Sequence, residues 1–165
     1  MPLYAVERPR TVRASELQGI ERAAGSRFRH VGMHDIADAE PTPVPILEDR
    51  ASAGRLLLAL AADRNPVGFL IWSPKDDRAY IDEVAVHIDH AGHRLAARMI
   101  DALAQDVRGR FAFLTLTTFR AVPWNEPFYQ RMGFVTLRDD ALDQRLRDVL
   151  AHEVEIGLPG SRRCA

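Results

Sequence analysis

Ala79 to Leu103 reads AYIDEVAVHIDHAGHRLAARMIDAL, and two periodicities meet inside it. In the first part, Ile81, Val84, Val86 and Ile88 are β-branched and Tyr80 is aromatic, with Asp82 and Glu83 as the interruptions, which predicts a strand. After Asp89-His90-Ala91-Gly92 the period changes. Leu95, Met99 and Leu103 recur every fourth residue with Ala96 and Ile100 beside them, while Arg94, Arg98, Asp101 and Gln105 fall on the opposite side, the pattern of an amphipathic helix. A strand that turns sharply into a helix aims unpaired N–H groups and the positive end of the helix dipole at the turn, which suits a phosphate. On local sequence alone, Gly92 is equally the turn before an ordinary helix.

A second stretch, Trp124-Asn125-Glu126-Pro127-Phe128-Tyr129-Gln130-Arg131-Met132-Gly133-Phe134, carries a Phe-Tyr-x-x-x-Gly-Phe core. The pair resembles the motifs of the GNAT family of N-acetyltransferases. There a Val-x-Pro-x-x-Arg-Gly-x-Gly-x-Gly-like run after the central strand binds acyl-CoA, and the later motif places a tyrosine beside the coenzyme sulfur. Here Ile88 stands for the proline, Ala91 for the arginine or glutamine and Arg94 for one loop glycine, while Ala96 is an accepted variant of the last glycine. With the order of predicted elements, the resemblance runs from about Leu3 to Leu137.

The resemblance implies a mixed α+β fold of that family, a central twisted mixed sheet with helices on both faces in one domain over 1–165. It also implies acetyl-CoA as cosubstrate, with no metal. Gly92, His93, Arg94, Leu95, Ala96 and Ala97 would seat the pyrophosphate. Glycine lets phosphate approach the main chain, and Arg94 closes one such opening while adding a cation. Main-chain donors at Val84, Ala85 and Val86 would serve the thioester oxygen, and Asn125 joins the coenzyme-binding set. Tyr129 would be the acid, since a phenol of pKa about 10 can hand a proton to a thiolate of intrinsic pKa about 8.5. Without the flanking motif, Tyr129 reads as a core residue between Phe128 and Phe134. The base stays open among Tyr80, Asp82 and Glu83. Alternation places Tyr80 and Asp82 on one face and Glu83 on the other, up to an expected bulge, and solvated or cap-like roles compete for both carboxylates.

The rest of the chain sets bounds. With 165 residues, 47% of them hydrophobic, one domain with a sizeable core is expected. A formal charge of −1 offers no general attraction to nucleic acid or acidic membranes, and no apolar run reaches the roughly 20 residues of a membrane span. MPLYAVERPR lacks a signal peptide's apolar core and Cys164 has no second cysteine to pair with, so a soluble cytoplasmic protein is expected. Lys75 stands alone among 21 arginines, a mark of base composition.

In chain order, Leu3–Glu7 is a candidate strand. Ser15-Glu16-Leu17-Gln18 has the form of a capping box for a helix over about 15–28. From Arg29 to Pro45 poor periodicity and three prolines predict a loop with one short helical turn, where the family's variable acceptor segment occurs. A short helix over 46–54 precedes a hairpin of 55–62 with 66–72 across Asp63-Arg64-Asn65. Phe111–Phe119 and Phe134–Arg138 read as strands. Asn125 and Gly133 bound a short helix, Leu142, Leu146, Val149 and Leu150 mark a last one reaching about Glu155, and 157–165 is a polar tail.

His87, His90 and His93 recur at every third position but straddle strand end, loop and helix start with no cysteine beside them, so surface histidines are the reading. Arg8, Arg10 and Arg13, flanked by Glu7 and Glu16, read as a solvated face. Two functions follow: an N-acetyltransferase acting by direct attack of a small-molecule or peptide amine in a ternary complex, possible as a homodimer, or a non-catalytic acyl-CoA-binding or regulatory module. Tyr129 and the acidic strand favour the first; Ala91 and Arg94 favour the second.

Overall fold

Apolar runs separated by turn residues build a sheet. In the computed structural model, which describes residues 3–165, the elements are β1 (Tyr4–Glu7), α1 (Ala14–Gly25), a 3₁₀ turn (Ser26–Val31), α2 (His34–Ala37), α3 (Val44–Ser52), β2 (Leu56–Ala61), β3 (Pro66–Lys75) and β4 (Arg78–Val86). A 3₁₀ turn (Ile88–His90), α4 (Leu95–Val107) and β5 (Phe113–Thr115) follow. The chain divides into two compact units, one ending at Leu114 and one from Thr115 to Ala165.

In the first unit the strand order is β1-β2-β3-β4-β5, and the first four pair antiparallel in sequence. The β2–β3 hairpin turns at Arg64, whose φ is +70°, with the Asp63 carboxylate accepting the Asn65 N–H at 3.1 Å. Leu58, Phe69 and Ala85 are cross-strand partners and therefore share a face. Against that face α1 sets Ala14, Leu17 and Ile20, and α3 sets Leu47 and Ala51. Each fully buried Leu, Ile or Phe in this layer contributes about 1.5–3 kcal/mol.

Gly68, next to Phe69 in β3, faces the other way. There α4 packs, and a Cβ on Gly68 would lie 3.0 Å from the Ala85 carbonyl oxygen, 3.2 Å from Val86 Cγ2 and 3.4 Å from the Met99 methyl. Glycine is thus required by close packing. Leu95, Met99, Ile100 and Leu103 are buried as their spacing predicted, while Arg94, Arg98, Asp101 and Gln105 are exposed. Helices therefore cover both faces, as expected.

Local patterns misplaced several boundaries. The capping box does not form: the N-cap of α1 is Arg13, its side chain makes no cap bond, and Ser15 lies inside the helix. Arg13 instead pairs with Glu16 at 2.8 Å. That helix ends at Gly25 rather than 28, tightening into the 3₁₀ turn. β4 stops at Val86, and Ile88 is in a turn and 39% exposed.

In the second unit the elements are β6 (Thr118–Phe119), α5 (Glu126–Arg131), a 3₁₀ turn (Asp139–Ala141), α6 (Gln144–Glu155), a further 3₁₀ turn (Gly160–Arg162) and β7 (Arg163–Cys164). The predicted strand Phe111–Phe119 is broken in two because Thr118 and Phe119 pair with Cys164 and Arg163. The expected polar tail is accordingly a strand. Arg163 grips the buried Glu153 of α6 with its Nε and Nη2 at 3.0 and 2.9 Å, and its guanidinium lies 4.4 Å from the Phe119 ring centroid. Phe134–Arg138 has no strand assignment; Leu137 N–H meets the Ala165 carbonyl oxygen at 2.9 Å, and Val135 is 78% exposed.

Candidate active site

The chemistry-bearing residues of the first unit lie at the C-terminal end of β4 and the head of α4. Past Val86 the chain enters the 3₁₀ turn, where the His87 ring accepts the Asp89 N–H at 3.3 Å. Ala91 is extended, Gly92 has φ +82°, and Arg94, the N-cap of α4, has φ +57°. Nothing lies within 4 Å of where a Gly92 Cβ would stand, so conformation alone demands glycine and the space beside it is open. Arg94 holds the same left-handed backbone without being glycine, at a cost of about 1–2 kcal/mol.

The first intrahelical bond of α4 runs from Arg98 N–H to the Arg94 carbonyl at 2.9 Å. The N–H groups of Leu95, Ala96 and Ala97 therefore have no intrahelical acceptor, and no side chain caps the helix. Ala91, Gly92, His93 and Arg94 are all exposed. Three amides at a positive helix end, a left-handed glycine with free space and an adjacent guanidinium fit a phosphate ester.

The strand carboxylates are not equivalent. Ile71 stands opposite Glu83 and Trp72 opposite Ile81, so Asp82 is the extra residue of a bulge. Ile71 and Ser73 share a face of β3. Their partners Glu83 and Tyr80 therefore share one as well, where simple alternation had set them apart. Asp82 accepts from Ser73 Oγ at 2.9 Å and from Arg50 Nε at 3.2 Å, tying β4 to β3 and α3. Glu83 is half-buried beside Ala85 on the α1 side. Val84, Ala85 and Val86 pair with Leu70, Phe69 and Gly68. The Tyr80 ring is buried and carries the Lys75 ammonium 3.9 Å above it.

Tyr129 and Asn125 belong to the second unit. Asn125 is the N-cap of α5, as its residue type predicted, yet its side chain makes no cap bond. The Glu126 carboxylate binds that corner instead, accepting the Ala121 N–H at 3.2 Å and the Thr136 hydroxyl at 2.8 Å. The helix ends at Gly133, φ +97°, with Gly133 N–H bonded to the Gln130 carbonyl at 3.0 Å. The half-buried Tyr129 ring meets Phe128 and Phe134 edge to face at 5.0 and 5.7 Å.

Sequence reasoning missed Arg50 and Ser73, the partners of Asp82, because each comes from a different element. It also missed Tyr4, whose hydroxyl lies 3.1 Å from His90 Nδ1 and whose ring centroid is 5.1 Å from that of His93. Glu153 left a signal: it falls seven residues after Leu146, on the apolar stripe of α6. Among the described residues no group of three His, Cys, Asp or Glu is placed to hold a metal ion.

Against known proteins, a profile of the acetyltransferase (GNAT) family matches residues 21–134. The chain belongs to that family. Its fold is similar to that of the ribosomal-protein-S18-alanine N-acetyltransferase from Escherichia coli, with a TM-score of 0.63 at 17% identity over 82% of this chain and 79% of that one. The PaiA N-acetyltransferase from Thermoplasma acidophilum, in complex with coenzyme A, gives 0.65 at 13% identity, covering 84% of this chain and 94% of that one. N-acetylglutamate synthase from Neisseria gonorrhoeae, complexed with coenzyme A and N-acetyl-glutamate, gives 0.63 at 15%, covering 93% of this chain and 33% of that one. At these identities the likeness is one of fold.

Proposed function

We propose that this chain is an N-acetyltransferase that moves an acetyl group from acetyl-CoA to a primary amine by direct attack in a ternary complex. The observation that carries the reading is the uncapped, left-handed turn at the head of α4, with free amides on Leu95, Ala96 and Ala97. Gly92, His93 and Arg94 complete a seat for the pyrophosphate. Main-chain donors of Val84 to Val86 orient the thioester oxygen, and Asn125 helps to hold the coenzyme. Acetyl-CoA supplies the activated acyl group.

The residues then manage protons. Glu83 or Asp82 accepts one from the incoming ammonium, directly or through water; Ser73 and Arg50 engage the two oxygens of Asp82. The Tyr129 hydroxyl returns a proton to the departing thiolate. In the 29–45 segment Asp38 is bonded to Arg29, and Asp35 and Glu40 are exposed, which suits a cationic small-molecule or peptide acceptor. The reading takes 1–165 as one functional domain working in the cytoplasm.

Arg94 in place of a loop glycine favours a second reading, a non-catalytic acyl-CoA-binding module. Calorimetry with acetyl-CoA, followed by thiol release over a panel of amines, separates the two. Binding with amine-dependent release supports the enzyme, binding without release across the panel supports the module, and no binding at millimolar acetyl-CoA removes both.

A further inference from the structure

We propose that Tyr4 is a positioning residue for the coenzyme loop, holding the turn between His90 and Arg98 in the shape that presents its amides. The inference rests on the proposed N-acetyltransferase reading of that loop. Tyr4 is the first residue of β1, opposite Ala61 at the sheet edge, yet it is only 9% exposed. The loop and the head of α4 lie against it. Its hydroxyl is 3.1 Å from His90 Nδ1, its ring meets that of His90 edge-on at 5.8 Å and lies tilted against His93 at 5.1 Å, and its carbonyl accepts from Arg98 Nη2 at 3.0 Å.

These contacts fall at positions 90, 93 and 98. They bracket Ala91 to Ala97, the segment with two left-handed residues and the uncapped amides of α4. Leu95 and Ala97 anchor its helical end in the core, but Ala91 to Arg94 are exposed, and freezing each residue of an exposed loop costs conformational entropy. A loop already held in shape spares the ligand that cost on binding. The hydroxyl has the specific part: a phenyl ring keeps the contacts with both imidazoles but cannot reach Nδ1. His90 is further steadied by its neighbours, with the His87 ring 6.1 Å away and itself bonded to the Asp89 N–H.

The experiment uses the full chain with Tyr4→Phe, His90→Ala and the double variant. Amide hydrogen exchange, acetyl-CoA affinity by calorimetry and steady-state kinetics are measured on each. In Tyr4→Phe, exchange should quicken for residues 90–97 while β2 and β3 amides keep wild-type protection. Acetyl-CoA Kd should rise about 3- to 10-fold, the usual worth of one hydrogen bond, with kcat and the acceptor KM unchanged. The loss in the double variant should be smaller than the sum of the two single losses, because both changes delete the Tyr4–His90 bond while His90→Ala also removes its ring contacts. Exchange that rises throughout the first unit with unchanged affinity would make Tyr4 a packing residue and overturn the proposal, as would unchanged exchange at 90–97. If Tyr4→Phe folds poorly, His90→Ala reads the same bond from its other partner. Wild-type protein that fails to bind acetyl-CoA removes the underlying reading and this role with it; a wild type that binds, beside a Tyr4→Phe that binds equally, removes this role alone.

Discussion

The main-chain N–H of Phe134 donates to the carbonyl of Tyr129 across 3.0 Å, and their rings meet edge to face at 5.7 Å. This is the six-to-one bond of a Schellman motif with its customary apolar contact, made possible by Gly133 in the left-handed conformation. The Phe-Tyr-x-x-x-Gly-Phe run is thus a helix stop as well as a family motif. The Tyr129 ring belongs to the stop.

Tyr129→Phe keeps the ring contacts and removes the hydroxyl. We expect kcat to fall about 10²- to 10⁴-fold with acetyl-CoA affinity nearly unchanged. The descending limb of the pH–rate profile should go with it. Wild-type kcat in this variant, with chemistry shown to be rate-limiting, would reduce Tyr129 to a packing residue.

Asp82 and Glu83 should separate by the property they affect. Asp82→Asn weakens a half-buried pair with Arg50 and should cost about 1–2 kcal/mol in urea unfolding, with the ascending pH–rate limb retained. Glu83→Gln should instead reshape that limb. The reverse pattern would move the base to Asp82.

Arg94 tests strain against charge. Arg94→Gly relieves the left-handed backbone and should stabilise the fold by about 0.5–1 kcal/mol, whereas Arg94→Ala keeps the strain and should not. Loss of the guanidinium should weaken acetyl-CoA binding in both, less in the glycine variant. Tighter binding by Arg94→Gly than by wild type would show that the side chain obstructs the seat.

Glu21 predicts a pH dependence. Burial pushes its carboxyl above the ordinary glutamate range, opposed by hydrogen bonds from Thr42 N–H at 3.0 Å and the Thr42 hydroxyl at 3.2 Å. A folded value above the unfolded one means that the group's contribution is complete below the unfolded pKa and is lost as pH rises through the folded one. Glu21→Gln can still accept from Thr42 N–H and donate to its hydroxyl. Its melting temperature should equal or exceed that of wild type at pH 7 and fall less between pH 4 and 7. A parallel fall in both proteins would show that Glu21 does not carry the dependence.

From the sequence alone came whatever a short window encodes. The switch from period two to period four across Gly92 placed β4, the turn and α4, and the residue types at Asn125 and Gly133 bounded α5. The two motifs named the family. Tertiary structure decided what depends on residues far apart in the chain. Thr118 and Phe119 left the predicted strand because their partners are Cys164 and Arg163, and the apparent tail became β7 because Arg163 found Glu153. The bulge at Asp82 brought Tyr80 and Glu83 to one face and bound Asp82 to Ser73 and Arg50, which no spacing within β4 announces. Tyr4 reached a loop 86 residues away. Local propensity is set by neighbours within a turn or two, whereas pairing partners, bulges and ion pairs are chosen by which distant groups the folded chain brings within about 3 Å.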